Sequence, residues 1–166
     1  MYSVDRVIDD IDIEELLGFA ISTFDINARV VSDTGNVVDT SIRDVVMHEC
    51  HNSLFPELTQ MLNSHYKANV LQFDLLSYGI GGHFIYHRDS NPKSETRVRD
   101  ISTVTMLEKS NDLIGGDLVI DYDGVEHTVV LEVGDTVSFD STLLHKVTPV
   151  EKGTRIVLVC WLNKVK

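Results

Sequence analysis

Basic residues are scarce in this chain. Fourteen Lys and Arg stand against 26 Asp and Glu, leaving a formal net charge of −12. That balance disfavours binding to nucleic acid, whose phosphate backbone needs a clustered basic surface to displace its counterions. The nearest cluster, KSETRVR at 93–99, is short and interrupted by Glu95. Cysteine is also sparse. Cys50 and Cys160 do not make a disulfide framework, so a reducing compartment is the simpler setting. No apolar run reaches the 18 or more residues that a membrane span needs. The opening MYSVDRVIDDIDIEE lacks the basic-then-apolar order of a signal peptide, and a cytoplasmic location is the expectation. Repeats and low-complexity segments are absent too, and no pattern specifies an oligomer.

What is present is an ordinary globular composition, 43% hydrophobic and 24% charged, in 166 residues. That length suits a single domain, 1–166, with a real core. Residues 1–69 read as supporting helices with flanking strands. One helix is expected over 10–23, where Ile13, Leu16, Leu17 and Ala20 recur at helical spacing behind an acidic start. A second is expected over about 54–66, from Leu54, Leu58, Met61 and Leu62. VVSDTGNVV carries a turn signal around Asp33–Asn36. From residue 70 to 164 the pattern becomes β. VLQFDLLSY, HFIYH, ISTVTML, GDLVIDYD, HTVVLEV, DTVSF, HKVTPV and TRIVLVCWL follow one another across short turns. Such a series predicts a sandwich or barrel rather than βαβ units. IVLVCWL is apolar on both alternating faces, which places it inside a covered sheet. One long polar connection, 90–100, interrupts the series, and long loops in compact β domains tend to carry function.

Several apparent motifs do not hold up. MHECH at 47–51 offers His48, Cys50 and His51 but no partner cluster to complete a tetrahedral zinc site. GIGGHF at 79–84 lacks the dinucleotide glycine spacing and precedes a strand, not a helix. DYDG at 121–124 has a misplaced glycine for a calcium loop and reads as a hairpin turn. Ser141 and His145 have no nucleophile elbow to make them a hydrolase pair.

The remaining constellation begins with YHRDSNP at 86–92. Residues i and i+2 of a strand share a face, so His87 and Asp89 can present an imidazole and a carboxylate to one cavity. Alone, that pair is weak evidence. His145, at a strand start late in the β region, is the best third ligand. Two histidines and a carboxylate leave three positions of an octahedron open, as non-haem Fe(II) oxygenases require. Arg155 follows ten residues later in an apolar strand, sharing a face with Val157, Val159 and Trp161. A guanidinium there is costly to bury without an anionic partner, and no carboxylate of the chain is its obvious mate. Snorkelling to water at the strand end would also relieve it. With three candidate ligands nearby, a bidentate contact to a bound dicarboxylate is the preferred reading.

From Phe73 to Leu162 these features resemble the iron- and 2-oxoglutarate-dependent dioxygenases, in particular the prolyl-4-hydroxylase-like branch with its bacterial PKHD-type relatives. The segments that carry the resemblance are YGIGGHFIYHRD, RDISTVTMLE, GGDLVI, VGDTVSF and LHKVTPVEKGTRIVLVCWL, in that order. The resemblance implies a mainly β (α+β) fold: a double-stranded β-helix, or cupin-like jelly roll, braced by N-terminal helices. It implies Fe(II) held by His87, Asp89 and His145. It implies 2-oxoglutarate with its distal carboxylate on Arg155 and a hydrogen bond from Tyr78. O2 is the third reactant, and ascorbate is a further cofactor the family admits. Trp161 would stand on the cavity face near the iron, a place that equally suits a core tryptophan. Arg99 matches an arginine bordering the substrate entrance in some relatives, the other reading being a solvated loop arginine.

Two positions depart from the family pattern. Met106 stands where some prolyl hydroxylases have a second tyrosine for 2-oxoglutarate; it cannot donate that bond, and neither Ser102 nor Thr105 is assigned in its stead. Phe84 replaces a frequent tyrosine, with little expected effect. The implied reaction hydroxylates an unactivated C–H bond while 2-oxoglutarate and O2 become succinate and CO2. Retention of Asp89 favours hydroxylation, since related halogenases lose that carboxylate. A prolyl residue of a protein or peptide is the favoured substrate, with the 90–100 loop as a lid. A free amino acid, a small metabolite or, least of all, a nucleobase remain alternatives. A non-catalytic barrel has no chemical need of the ligands plus Arg155, and a metal hydrolase has no use for Arg155.

Overall fold

The computed structural model describes residues 1–22, 25–27, 30–32, 35–48, 50–91 and 99–165. The chain opens with β1 (Ser3–Asp5), α1 (Asp10–Ser22) and the short strands β2 (Asp25–Asn27), β3 (Val30–Ser32) and β4 (Gly35–Val37). Then come β5 (Arg43–Asp44), β6 (Val46–His48), a 3-10 turn (Asn52–Leu54) and α2 (Pro56–Tyr66). The β region runs β7 (Ala68–Tyr78), β8 (His83–His87), β9 (Ile101–Lys109), β10 (Ile114–Gly115), β11 (Leu118–Tyr122) and β12 (Val125–Val129). It ends with β13 (Thr136–Asp140), β14 (Leu144–Val147), β15 (Val150–Lys152) and β16 (Arg155–Lys164).

Two sheets face each other. The larger has the order β1-β13-β9-β16-β7-β6-β2, the smaller β12-β11-β14-β8-β5. All pairings are antiparallel and most neighbours are non-consecutive, as expected of a double-stranded β-helix. The inner faces meet in one core around Leu76, Val104, Leu118, Ile120, Val137 and Val157. The outer face of the larger sheet is covered by the helices. Ile13 and Leu16 of α1 and Leu58 and Leu62 of α2 pack on Phe73, Leu75, Leu158 and Leu162. The central strand β16 is therefore buried on both sides, which explains why IVLVCWL shows no polar alternation.

The helices lie where periodicity put them, with one adjustment. Pro56 cannot donate a backbone hydrogen bond and occupies the first turn of α2, so Asn52–Leu54 forms a separate 3-10 turn ahead of it. The α2 helix ends at Lys67 in the left-handed region, its N–H donating to the Asn63 carbonyl. The DYDG hairpin is as expected: Asp123 and Gly124 have positive φ, and the Asp121 carboxylate accepts the Gly124 N–H at 2.8 Å. The strand β1, pairing with β13 at the sheet edge, was not foreseen. Residues 33–34 of the expected VVSDTGNVV turn and 92–98 of the proposed lid lie outside the described residues. Among the described residues no helix is long and apolar enough to cross a membrane.

Candidate metal centre and cosubstrate pocket

The ends of β8 and β14 build the centre of the site. His145 and His87 are direct cross-strand partners. Asp89 lies just past the end of β8 and not within the strand, yet its carboxylate turns back between the two rings. Its Oδ1 is 3.7 Å from His87 Nε2, and its Oδ2 is 3.6 Å from His145 Nε2. Ligand atoms of all three residues lie within 4.8 Å of one another, and this is the one such group among the described residues.

The surroundings prepare these groups for a cation. His87 Nδ1 sits 2.8 Å from the Ile85 carbonyl and His145 Nδ1 3.0 Å from that of Leu143. A carbonyl can only accept, so each Nδ1 carries a proton, and each Nε2 is turned inward toward Asp89. Burial, with the His145 ring beside it, pushes His87 down to about 4, keeping it neutral at ordinary pH. Burial would raise the Asp89 carboxyl, but His145, the Ser102 hydroxyl and His87 outweigh it and hold Asp89 below the usual range. Ser102 donates to Asp89 Oδ2 at 2.6 Å and lies 2.8 Å from the Ser141 hydroxyl. Phe84 stacks on the His87 ring with centroids 3.5 Å apart, and Phe139 meets His145 edge-on. Two imidazoles and one carboxylate, oriented by their outer hydrogen bonds, fit a divalent iron.

The same three residues line a cavity of about 550 Å³ whose wall includes Arg155 and Tyr78. Arg155 is 3% exposed, so it does not snorkel to water. One Nη donates to the Gly116 carbonyl, the guanidinium lies 5.0 Å over the Tyr78 ring, and the buried Nε has no hydrogen-bond partner. Among the described residues no carboxylate forms an ion pair with it. Burial lowers its affinity for the proton against small contributions from Tyr78 and Asp117. A buried, incompletely satisfied guanidinium in the wall of a cavity fits an anionic ligand. Gly116 makes the placement possible. Its φ is +68°, and a Cβ there would stand 2.8 Å from Val150 Cγ2 and 3.3 Å from Arg155 Cδ.

The other expected positions divide. Trp161 faces the cavity, and its indole nitrogen has no partner of full hydrogen-bond geometry. Arg99 is not a solvated loop arginine: it lies 4.0 Å over the Trp161 ring and donates to Gln72 at 3.0 Å. Met106 does not face the metal cavity. It packs with Leu118, Val129 and Leu131 and lines a separate space of about 570 Å³ that also touches Arg155. Of MHECH, His48 is buried against the Ser77 hydroxyl at 2.7 Å and His51 caps the 3-10 turn. Sequence reading missed Ser102 as the support of Asp89, and Asp74, a buried carboxylate facing the same cavity. Asp74 could have been found, because it is the acid inside the otherwise apolar run FDLL.

Comparison with known proteins decides the family. The model of the 2OG-Fe(II) oxygenase superfamily matches residues 73–163, more than half of the chain. The chain belongs to that superfamily. Membership implies Fe(II), 2-oxoglutarate and O2, and His87, Asp89 and His145 could hold the metal. A PKHD-type hydroxylase of Colwellia psychrerythraea is 33% identical over 106 residues, covering 63% of this chain and 48% of its own. One from Pseudomonas putida is 40% identical over 93 residues, covering 53% and 41%. The chain thus spans about half, or less, of the length of these curated relatives. Among solved structures, a Pseudomonas putida prolyl-4-hydroxylase superposes with a TM-score of 0.70 at 20% identity, covering 98% of this chain and 92% of that one. A Trichoplax adhaerens prolyl hydroxylase, solved with a hypoxia inducible factor peptide fragment, gives 0.75 at 15% identity, covering 98% and 83%. These likenesses establish the double-stranded β-helix fold.

Proposed function

We propose that this chain carries an Fe(II)- and 2-oxoglutarate-dependent hydroxylase site acting on an unactivated C–H bond, with a prolyl residue of a protein or peptide as its target. The carrying observation is that one cavity holds both the His87–Asp89–His145 group and a buried Arg155 without a carboxylate mate. Iron and 2-oxoglutarate would supply the oxidising power, O2 and the oxo acid leaving as succinate and CO2 while the substrate gains a hydroxyl.

The chain's own residues do the rest. His87, Asp89 and His145 hold the metal through Nε2 and carboxylate atoms already turned inward. Arg155 would take the distal carboxylate of 2-oxoglutarate, with Tyr78 as its direct neighbour across β7 and β16. The apolar wall of Leu76, Val104, Leu118 and Val157 keeps water out of that end, strengthening each charged contact. Along β7, Tyr78 and Gln72 are six residues apart, about 20 Å at the usual strand rise, so cosubstrate and substrate ends are separate. Arg99 and Trp161 flank the substrate end. The prolyl target rests on the structural neighbours, two of which are prolyl hydroxylases, one of them solved with a bound peptide fragment.

The test is anaerobic titration of metal-free protein with Fe(II) and 2-oxoglutarate. A visible absorption band that needs both additions, is lost in Asp89→Ala and weakens in Arg155→Ala is expected. Folded, iron-loaded protein that gives no band refutes the proposal.

A further inference from the structure

The edge of β7 is open where it need not be. Among the described residues β6 pairs with β7 only from Leu75 to Ser77, His48 being its last paired residue. Gln72, Phe73 and Asp74 are paired to β16 on one side, with Leu71 at a register shift, and among the described residues Leu71–Asp74 have no backbone partner on the other. An unpaired strand edge presents a row of N–H and C=O groups that a second chain can satisfy. Native sheets usually cover such edges or load them with charge, and here the edge instead borders a space. A cavity of about 600 Å³ lies between it and the segment Cys50–Leu54, lined by Cys50, His51, Asn52, Leu54 and the strand.

That space shares part of its wall with the metal cavity. Met47, Gln72 and Asp74 line both. Gln72 stands across from Trp161, and Trp161 across from Ser102, which holds Asp89. The open edge is thus the next place in a row that begins at the metal support. A further strand would be the third spacing from Ser102, about 15 Å away.

We infer that the substrate is an extended polypeptide whose flanking segment docks as an added β-strand on the β7 edge from Leu71 to Asp74. This deepens the peptide reading given above and rests on it. The edge supplies affinity through main-chain hydrogen bonds, which are indifferent to sequence, while the metal cavity selects the target residue. At about 3.3 Å per residue, the docked segment lies about four or five residues from the hydroxylated position. A free amino acid has no backbone to pair with this edge.

Hydrogen–deuterium exchange on the whole chain tests the inference. The protein is loaded with Zn(II) in place of Fe(II), which prevents turnover, and with 2-oxoglutarate. The probes are short synthetic peptides with a fixed central proline, and each binder is repeated with backbone N-methylation in its flank. Slowed exchange at Leu71–Asp74 on peptide binding, lost with the N-methylated form, is expected. Cys50→Trp, which fills the space without touching the metal ligands, should weaken the peptide about tenfold, the equivalent of two backbone hydrogen bonds. It should leave the Fe(II)–2-oxoglutarate band in place. Absence of any peptide binder, binding without protection at 71–74, or unchanged affinity in folded Cys50→Trp overturns the inference. The two readings fail separately. A band without edge protection removes the docking strand and keeps the oxygenase; protection without a band does the reverse.

Discussion

Removing the Ser102 hydroxyl should weaken metal binding without breaking the fold. Ser102 is fully buried on β9 and gives its single O–H to Asp89 Oδ2 at 2.6 Å. Its proton being spent there, the 2.8 Å contact with Ser141 must have Ser141 as donor. The chain Ser141 to Ser102 to Asp89 therefore ends on a buried carboxylate. A hydrogen bond to a charged group contributes about 1.5–3 kcal/mol, and Ser102→Ala loses it. Part of that loss affects the metal-free protein as well, since Asp89 is ionised there too. What reaches metal affinity is the orientation of the carboxylate, for which comparable supporting partners are worth about 10–100-fold. The expected result is a metal Kd at least about tenfold higher, with the metal-free protein about 1.5–3 kcal/mol less stable.

Chelator-competition titration with Zn(II) or Co(II) reads the first quantity, and urea unfolding of the metal-free chain reads the second. Thr105→Val is the control. Thr105 is bonded to the Thr136 hydroxyl at 2.8 Å on the same strand, an odd number of residues away and hence on the other face. It should lose stability and leave metal affinity alone. If Ser102→Ala binds metal as tightly as the parent, or if Thr105→Val weakens metal equally, the orienting role of Ser102 is refuted.

Gly116→Ala should raise the 2-oxoglutarate Kd about tenfold or more at unchanged metal affinity. A non-glycine residue at positive φ costs about 1–3 kcal/mol, and its Cβ would press on Arg155 Cδ and Val150. Unchanged 2-oxoglutarate binding, read from the same absorption band, would show that Arg155 is not so confined. Cys160 should make the parent chain sensitive to alkali. Burial raises its thiol well above the ordinary value of 9.0, so the folded chain stays protonated while the unfolded chain ionises. The contribution to stability is whole below about pH 9 and is lost as pH rises further, at up to about 1.4 kcal/mol per pH unit. Urea unfolding under reducing conditions at several alkaline pH values should show a steeper fall for the parent than for Cys160→Ala. Parallel slopes would refute it.

Local pattern made the β region and the His87–Asp89–His145 group legible. His87, Asp89, His145 and Arg155 sit at strand ends fixed by alternation and short turns, so spacing carried them correctly to one cavity. Asp89, however, lies beyond the end of β8, so its turn back toward the rings owes nothing to the i, i+2 rule. What was not legible depends on contacts between distant segments. Nothing in ISTVTML says which of its hydroxyls meets Asp89 and which meets Thr136, because that follows from the β13–β9–β16 register. The two readings of Arg99 could not be separated for a similar reason. A loop arginine next to an acid reads as solvated until the sheet places Trp161 beneath it.

The cavity-facing side of the larger sheet shows why these misreadings cluster at one place. A strand buried on both faces favours β-branched and aliphatic residues, and Leu76, Val104, Val137 and Val157 obey that demand between the sheets. Asp74, Ser102 and Arg155 break it at buried positions of the same strands, each at a cost that packing alone would remove. Two have found their compensation within the chain: Ser102 in Asp89 and Ser141, Asp74 in Gln72 and the Arg43 guanidinium at 3.9 Å. Arg155 has a carbonyl and an aromatic face but no anion. A fold optimised for stability would replace it with an aliphatic residue, as buried charges often can be. Its presence in so apolar a strand has a physical reason if an anion from outside the chain completes it, and that would tie Arg155 to the His87–Asp89–His145 group in the wall of the same cavity.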